Sequence, residues 1–305
     1  MRIAVLGAGA MGMLFGGYLS RNHEVWLIEI DPARVEKINQ SGICIHEKEE
    51  ILHFHPHVSF DSKQIGPVDL VLVFVKAMFT ETALEANREL IGKDTYLMTL
   101  QNGAGHETKL LKYTDAEHVI IGSTQHNSSL LSNGVVQHGG VGKTSIGLIQ
   151  GSSQILAPIA EAFTASGLEC ATCDNVKQQI WKKLFTNTAA SSLTAVLQVP
   201  LGFIVENEFA HRVMSKLCQE AVAVAEADGV AGLELKHVIA DVETVCKNAK
   251  NGYTSIYSDI QNGRRTEVDT ISGSVVEKAK ALGIDVPYHE MLVALIHAME
   301  HRTLT

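Results

Sequence analysis

The stretch RIAVLGAGAMGMLFGGYL, residues 2–19, decides how the first half of this 305-residue chain is read. Arg2 to Leu6 form a short aliphatic, β-branched run. Beyond it stand the spaced glycines Gly7, Gly9 and Gly12, and Met11, Leu14, Phe15, Tyr18 and Leu19 recur at helical spacing. A strand, a tight turn and a helix are expected in that order. Each glycine has its own reason to be present. Gly7 permits the sharp turn, Gly9 lets backbone come close to a bound pyrophosphate, and Gly12 lets the helix close on the strand.

Working outward, the turn Arg21-Asn22-His23 leads into a second apolar run, Glu24 to Ile28, which completes a strand–helix–strand unit. Further strands are expected at Leu70 to Val75, Tyr96 to Leu100 and Val119 to Gly122, with helical composition between them, as from Glu81 to Leu90. Strands apolar on both faces and separated by helices imply a parallel sheet covered on both sides. From Gly134 to Leu148 the residues alternate and are rich in Gly and Val, which predicts an antiparallel hairpin closing the sheet edge. A helix from Gln154 to Ser166 and a last strand from Leu168 to Thr172 come next. Beyond about Asp174 only amphipathic helix is legible, as in Val213, Leu217, Val222 and Val224 ahead of Gly229. The expected fold class is α/β, a Rossmann-type doubly wound parallel sheet over residues 1–173. An all-α domain over residues 174–305 is expected to carry the substrate and catalytic groups.

In that setting Gly7-Ala8-Gly9-Ala10-Met11-Gly12 is a GxGxxG leaving a strand and entering a helix, the context that gives the pattern meaning as a dinucleotide site. Without it, the same residues describe a glycine-rich turn. Glu29 lies twenty residues after Gly9, at the end of the second strand, with Ile30 and Asp31 behind it. A carboxylate there accepts ribose hydroxyls and repels a 2′-phosphate, which favours NAD(H). Arg34 is near enough to reach a phosphate and speaks for NADP(H). Two more loops leave strand ends where ligands of such sheets collect: Lys76-Ala77 and Asn102-Gly103-Ala104-Gly105. Lys76 offers a charge for phosphate or carboxylate, and equally fits a snorkelling lysine at a strand end.

Apolar residues make up 46% of the chain, charged residues 19%, and there are six prolines, a composition able to bury a large core. The net charge of −9 with no run of Lys and Arg argues against a nucleic-acid partner. No segment has the length and apolarity of a membrane span, and the start lacks the cationic region and cleavage site of a secretory signal, so a cytoplasmic protein is expected. Five scattered cysteines fit reduced thiols. Cys170 and Cys173 form a CxxC without a second ligand pair. His53, His55 and His57 alternate around Pro56, which reads as a solvated edge strand, and no metal site is expected.

In QQIWKKLFTNTAASSLTAV, Lys183, Asn187 and Ser191 recur every fourth position and share one helix face. A solvated face has the same spacing, but the neighbours Ile180, Leu184 and Phe185 are apolar and the stripe lacks the usual Glu and Lys mixture. Farther on, Arg264 to Asp269 reads as a helix start in which Thr266 and Asp269 form a capping pair, with Glu267 a favourable first-turn charge.

Taken together, GAGAMG, VKA after the third recognised strand, QNGAG, WKKLFTN followed by LTA, and SIYSDI with RRTEVDTISG resemble the ketopantoate reductases (2-dehydropantoate 2-reductases) over essentially the whole chain. The resemblance implies that Lys183 is the general acid and that Asn102, Asn187, Ser255 and Glu267 surround the substrate, with Lys76 in an interdomain cleft. The implied reaction reduces a 2-keto acid to a D-2-hydroxy acid with NADPH as the family's usual coenzyme. The chain departs from the family where an arginine commonly follows the second strand and Ile30 stands instead. Ser191 replaces a second asparagine, and Gly252 replaces a frequent polar residue. These departures raise a second reading, an NAD-dependent D-2-hydroxyacid dehydrogenase for branched or aromatic substrates. The β-hydroxyacid dehydrogenases fit less well, because their helix motif resembles KxxN. A non-catalytic dinucleotide sensor is a reading of another class, and such a protein has no need of Lys183 and Glu267 facing one cleft. A homodimer is the expected assembly.

Overall fold

The computed structural model describes residues 1–304. Twelve strands are β1 Arg2–Leu6, β2 Glu24–Ile28, β3 Ile43–His46, β4 Ile51–Phe54, β5 His57–Ser59, β6 Leu70–Val73, β7 Tyr96–Thr99, β8 Val119–Thr124, β9 Asn127–Ser132, β10 Val135–Gly140, β11 Thr144–Leu148 and β12 Cys170–Thr172. The α-helices among them are α1 Ala10–Leu19, α2 Pro32–Ser41, α3 Thr80–Ala86, α4 Glu107–Leu110 and α5 Ala157–Ala165. Then come α6 Val176–Thr186, α7 Ser192–Leu197, α8 Leu201–Glu206, α9 Glu208–Ala227, α10 Leu235–Asn248, α11 Ser255–Gln261, α12 Ser272–Leu282 and α13 Pro287–Leu304. By its contacts the chain divides into two compact units. The first comprises residues 1–101 and 106–176, and the second comprises residues 102–105 and the chain from 177 onward.

The first unit holds an eight-stranded sheet in the order β12-β11-β8-β7-β6-β1-β2-β5. The strands from β8 through β5 run parallel, and β11 is antiparallel to β8. The order reverses at β1, whose neighbours β2 and β6 lie on opposite sides of it, and that reversal opens the crevice in which sheets of this class bind ligands. The fold expected from residues 2–19 is therefore present.

A second, four-stranded sheet, β4-β3-β10-β9, was not anticipated. The expected hairpin from Gly134 to Leu148 is corrected by it. β10 pairs with β9 and, in parallel, with β3, whereas β11 joins the main sheet, so β10 and β11 belong to different sheets. Helix α1 lies between the two layers. A Cβ on Gly16 would meet Leu27 Cδ2 of the main sheet at 2.5 Å, and one on Gly17 would meet Ile45 and Phe54 of the second sheet at 3.1 Å. This explains why α1 is buried on nearly every side, not along one stripe. His53 falls in β4 and His57 in β5, in two different sheets, so the three exposed imidazoles do not share one strand face.

The second unit is helical. Its core gathers Trp181, Leu184 and Phe185 of α6 around Met214, Leu217 and Cys218 of the twenty-residue α9, with Val242, Ile260, Val275 and Ile296 from later helices. Asn207 caps α9 by accepting from the N–H groups of Phe209 and Ala210, and Asp228 closes its far end. The Asp228 carboxylate takes the Trp181 indole N–H at 3.0 Å and the ammonium groups of Lys177 and Lys278 at 2.9 and 3.0 Å. A half-buried carboxylate is thus matched by three donors. Among the described residues, no helix is long and apolar enough to cross a membrane.

Candidate active site

In the first unit, β1, β2 and β6 end level with one another: Leu6 stands opposite both Ile28 and Val73. Gly7, Glu29 and the segment leading to Lys76 therefore leave the same sheet edge. Gly7 takes φ +95°, in the left-handed region that favours glycine, and its N–H donates to Ile28 O at 2.8 Å. A Cβ on Gly12 would sit 1.9 Å from Gly7 O, so only glycine lets α1 start this close to β1. At Gly9, the N-cap of α1, the backbone is extended and an added Cβ would meet nothing within 4 Å. The space that a Gly9 side chain would fill thus lies open at the head of the helix. Such a cradle fits the pyrophosphate of a dinucleotide. Ser128 of β9 donates to Ala10 O at 3.2 Å and ties the second sheet to this turn.

Glu29 lies where the sequence places it, but its carboxylate is buried and engaged. Oε1 accepts from the N–H groups of Ile30 and Asp31, at 2.8 and 3.0 Å, and Oε2 accepts from the Ala8 N–H at 3.0 Å and from Arg34 at 2.8 Å. Asp31 caps α2 through Ala33 N–H and lies 3.6 Å from the second arm of Arg34. Ile30 is exposed, and so is Lys76.

In the second unit, α6 carries Lys183, and the helix continues into α7 through a π-turn at Asn187–Ser191. The regular α-helix expected across the Lys183, Asn187 and Ser191 stripe is corrected here. A π-turn widens the helix at the residues that carry the polar groups, a distortion concentrated at functional sites in proteins generally. Lys183 and Asn187 are half-buried, while Ser191 is buried and its carbonyl is engaged. That carbonyl accepts from Thr194 Oγ1 at 2.9 Å and Thr254 Oγ1 at 3.2 Å. Thr254 in turn caps α11, placing Ser255 at the exposed first position of that helix. On the other side of the turn, Thr188 and Ser192 bond the buried Ser272 hydroxyl at 3.1 and 2.8 Å.

Burial moves the Lys183 ammonium below the ordinary lysine range, and the nearby Glu267 carboxylate partly opposes that shift. Asn102 Nδ2 donates to Glu267 Oε2 at 3.3 Å. The Asn102–Gly105 loop, which follows β7 in the chain, belongs by contact to this unit, with Ala104 packed against its core. The cluster thus joins a desolvated amine, a carboxylate and an amide, an arrangement able to hold a polar substrate and deliver one proton. The expected capping pair at Thr266 is corrected. Residues 267–271 form a turn ahead of α12, Thr266 N–H and Oγ1 both donate to Glu300 at 2.7 Å, and Asp269 meets His297 at 2.8 Å. Glu267 is therefore not a first-turn helix charge.

Sequence reasoning missed Thr254, although a threonine just before SIYSDI is an N-cap signal. It also missed the brace between Glu29 and the Ala8 N–H, for which no local pattern exists. All five cysteines are free, and burial pushes the Cys170 thiol up to about 12. No group of three or more His, Cys, Asp or Glu side chains suited to a metal ion occurs among the described residues.

Known proteins similar to this chain match it over nearly its whole length. Residues 3–151 match the family described as ketopantoate reductase PanE/ApbA, and residues 175–300 match the ketopantoate reductase PanE/ApbA C-terminal family. The 2-dehydropantoate 2-reductase of Halobacterium salinarum is 31% identical over 300 residues, covering 97% of this chain and 98% of that protein. The 2-dehydropantoate 2-reductase of Lactococcus lactis subsp. lactis is 32% identical over 307 residues, covering 98% of each. Among solved structures, the ternary structure of D-mandelate dehydrogenase with NADH and anilino(oxo)acetate has 31% identity and a TM-score of 0.92, covering all of both chains.

Proposed function

The chain belongs to the ketopantoate reductase PanE/ApbA family, and we propose that it reduces a 2-keto acid to a D-2-hydroxy acid, 2-dehydropantoate being the first candidate substrate. The observation that carries this reading is the Lys183, Glu267 and Asn102 cluster of the helical unit. Residues 1–173 are read as the dinucleotide-binding domain and residues 174–305 as the substrate and catalytic domain. A nicotinamide coenzyme, when bound, supplies the hydride.

Gly7, Ala8, Gly9, Ala10, Met11 and Gly12 hold its pyrophosphate, with Lys76 and Asn102 at neighbouring strand ends. Glu29, Ile30 and Asp31 favour NAD(H), since the two carboxylates repel a 2′-phosphate. Lys183 stabilises the negative charge that grows on the keto oxygen and gives that oxygen a proton, so an ammonium with a lowered pKa is a better acid at that atom than an exposed one. Glu267 keeps the lysine charged and grips a substrate hydroxyl. Asn102, Asn187 and Ser255 orient the substrate carboxylate, with Ser191 behind them in the π-turn. A cytoplasmic homodimer is the assembly this reading carries.

A second reading, a D-2-hydroxyacid dehydrogenase for branched or aromatic 2-keto acids, is favoured by the likeness to D-mandelate dehydrogenase and by Ser191 at a family asparagine position. Both are tested by crossing NADH and NADPH with 2-dehydropantoate, 2-ketoisocaproate and phenylglyoxylate. The proposal expects the highest kcat/KM with 2-dehydropantoate, whereas a preference for phenylglyoxylate selects the second reading. Oxidation of neither coenzyme with any of the three points to a non-catalytic sensor.

A further inference from the structure

An ionised carboxylate has about four acceptor positions, and in Glu29 all four are taken by protein donors. Three of those donors are backbone N–H groups fixed by the glycine-rich turn and by the start of α2. The fourth is the Arg34 side chain, the one partner that can leave without moving backbone. Arg34 is itself under-used. Its guanidinium has five N–H groups, yet it donates a single hydrogen bond, to Glu29, and its other carboxylate neighbour, Asp31, stands 3.6 Å away. Its Nε is buried with no partner among the described residues. An unpaired buried donor beside a ligand site is one that an incoming acceptor can satisfy.

We propose that Arg34 is the residue by which this chain tells the two nicotinamide coenzymes apart. When the adenosine ribose carries a 2′-phosphate, the guanidinium turns from Glu29 to the phosphate, giving its open N–H groups charged acceptors. When the ribose carries a hydroxyl, that hydroxyl competes with Arg34 for the Oε2 position of Glu29. The inference rests on the dinucleotide reading of the GAGAMG turn. It differs from the family pattern in which an arginine stands at the position of Ile30, since Ile30 is exposed and its side chain offers no polar atom.

The test is equilibrium binding of NADH and of NADPH, followed by nicotinamide fluorescence without substrate, in the full-length protein and in Arg34→Gln and Arg34→Lys. The expected result for Arg34→Gln is a tenfold or greater loss of NADPH affinity, with NADH affinity unchanged or improved. Arg34→Lys should retain part of the NADPH affinity, as a point charge without the fork geometry. Melting temperatures verify that both variants are folded. Parallel weakening of both coenzymes would make Arg34 a brace of the β2–α2 corner only and would overturn the proposal, as would an unchanged NADPH affinity. Binding of NADH but not NADPH by the unaltered protein also overturns it. Binding of neither coenzyme would instead remove the dinucleotide reading itself, and this proposal with it.

Discussion

Asn102 Nδ2 donates to Glu267 Oε2 across 3.3 Å, joining two residues 165 positions apart in the chain. The same carboxylate acts on Lys183, raising an ammonium pKa that burial lowers, and burial is the larger of the two effects. A lysine acting as general acid must be protonated, so turnover falls as pH rises through its pKa. Glu267→Gln keeps an oxygen for Asn102 but removes the charge that opposes desolvation. The alkaline limb of the kcat profile should therefore move to lower pH. A limb that stays in place or moves upward would disconnect Glu267 from the titration of Lys183.

Lys183→Ala removes the proposed proton donor and leaves the glycine-rich turn of the other unit untouched. The expected outcome is a fall in kcat of about 10²- to 10⁴-fold, with the dissociation constant for NADH within twofold of the original. Stopped-flow and coenzyme titration measure the two quantities separately. Near-normal turnover in this variant would take Lys183 out of the chemistry.

Two glycines of one motif should respond in opposite ways. Alanine at Gly12 drives a Cβ into Gly7 O, 1.9 Å away, and backbone cannot yield as a flexible side chain can. A loss of at least ~2 kcal/mol of stability is expected, at the level of a badly overpacked core position. Alanine at Gly9 meets no protein atom within 4 Å. Gly9→Ala should change stability by less than about 1 kcal/mol, the scale of an N-cap substitution, while weakening coenzyme binding at least tenfold. Denaturant melts and coenzyme titrations of both variants give the comparison. Equal coenzyme affinity in Gly9→Ala would mean that the open space at Gly9 is not the pyrophosphate position.

What could be read from the residues came from local regularity. β1, α1 and β2 announce themselves because an aliphatic run, spaced glycines and helical periodicity all agree. The main sheet was legible too, since buried parallel strands are continuously apolar. The second sheet was hidden because its strands are short and partly polar, as in the exposed NSSLLS of β9, and because β10 pairs with β3 from far away in the chain. Such pairings leave no periodic trace. The Lys183 stripe was visible as a pattern, whereas the π-turn behind Asn187 depends on tertiary hydrogen bonds to Thr254 and Ser272 that no spacing reveals. Thr266 misled for a related reason. Its capping pattern with Asp269 is real in sequence, but Glu300, 34 residues onward, takes its donors.

Thr254 serves both α11 and the π-turn. Its hydroxyl donates to Ser191 O at 3.2 Å, lies 3.1 Å from Thr194 Oγ1 and accepts from Tyr257 N–H at 3.4 Å. Thr254→Val keeps the shape and β-branching but loses all three contacts, so Ser255 is no longer held at a defined helix start beside the turn that carries Asn187. A loss of about 1 kcal/mol is expected from the missing cap. If Ser255 orients the substrate, KM for the keto acid should rise several-fold with kcat changing less, and Thr254→Ser should restore KM because it returns the hydroxyl. Steady-state kinetics of the two variants, with thermal melts alongside, separate positioning from stability. A lowered melting temperature with an unchanged KM would leave Thr254 as a helix cap and nothing more.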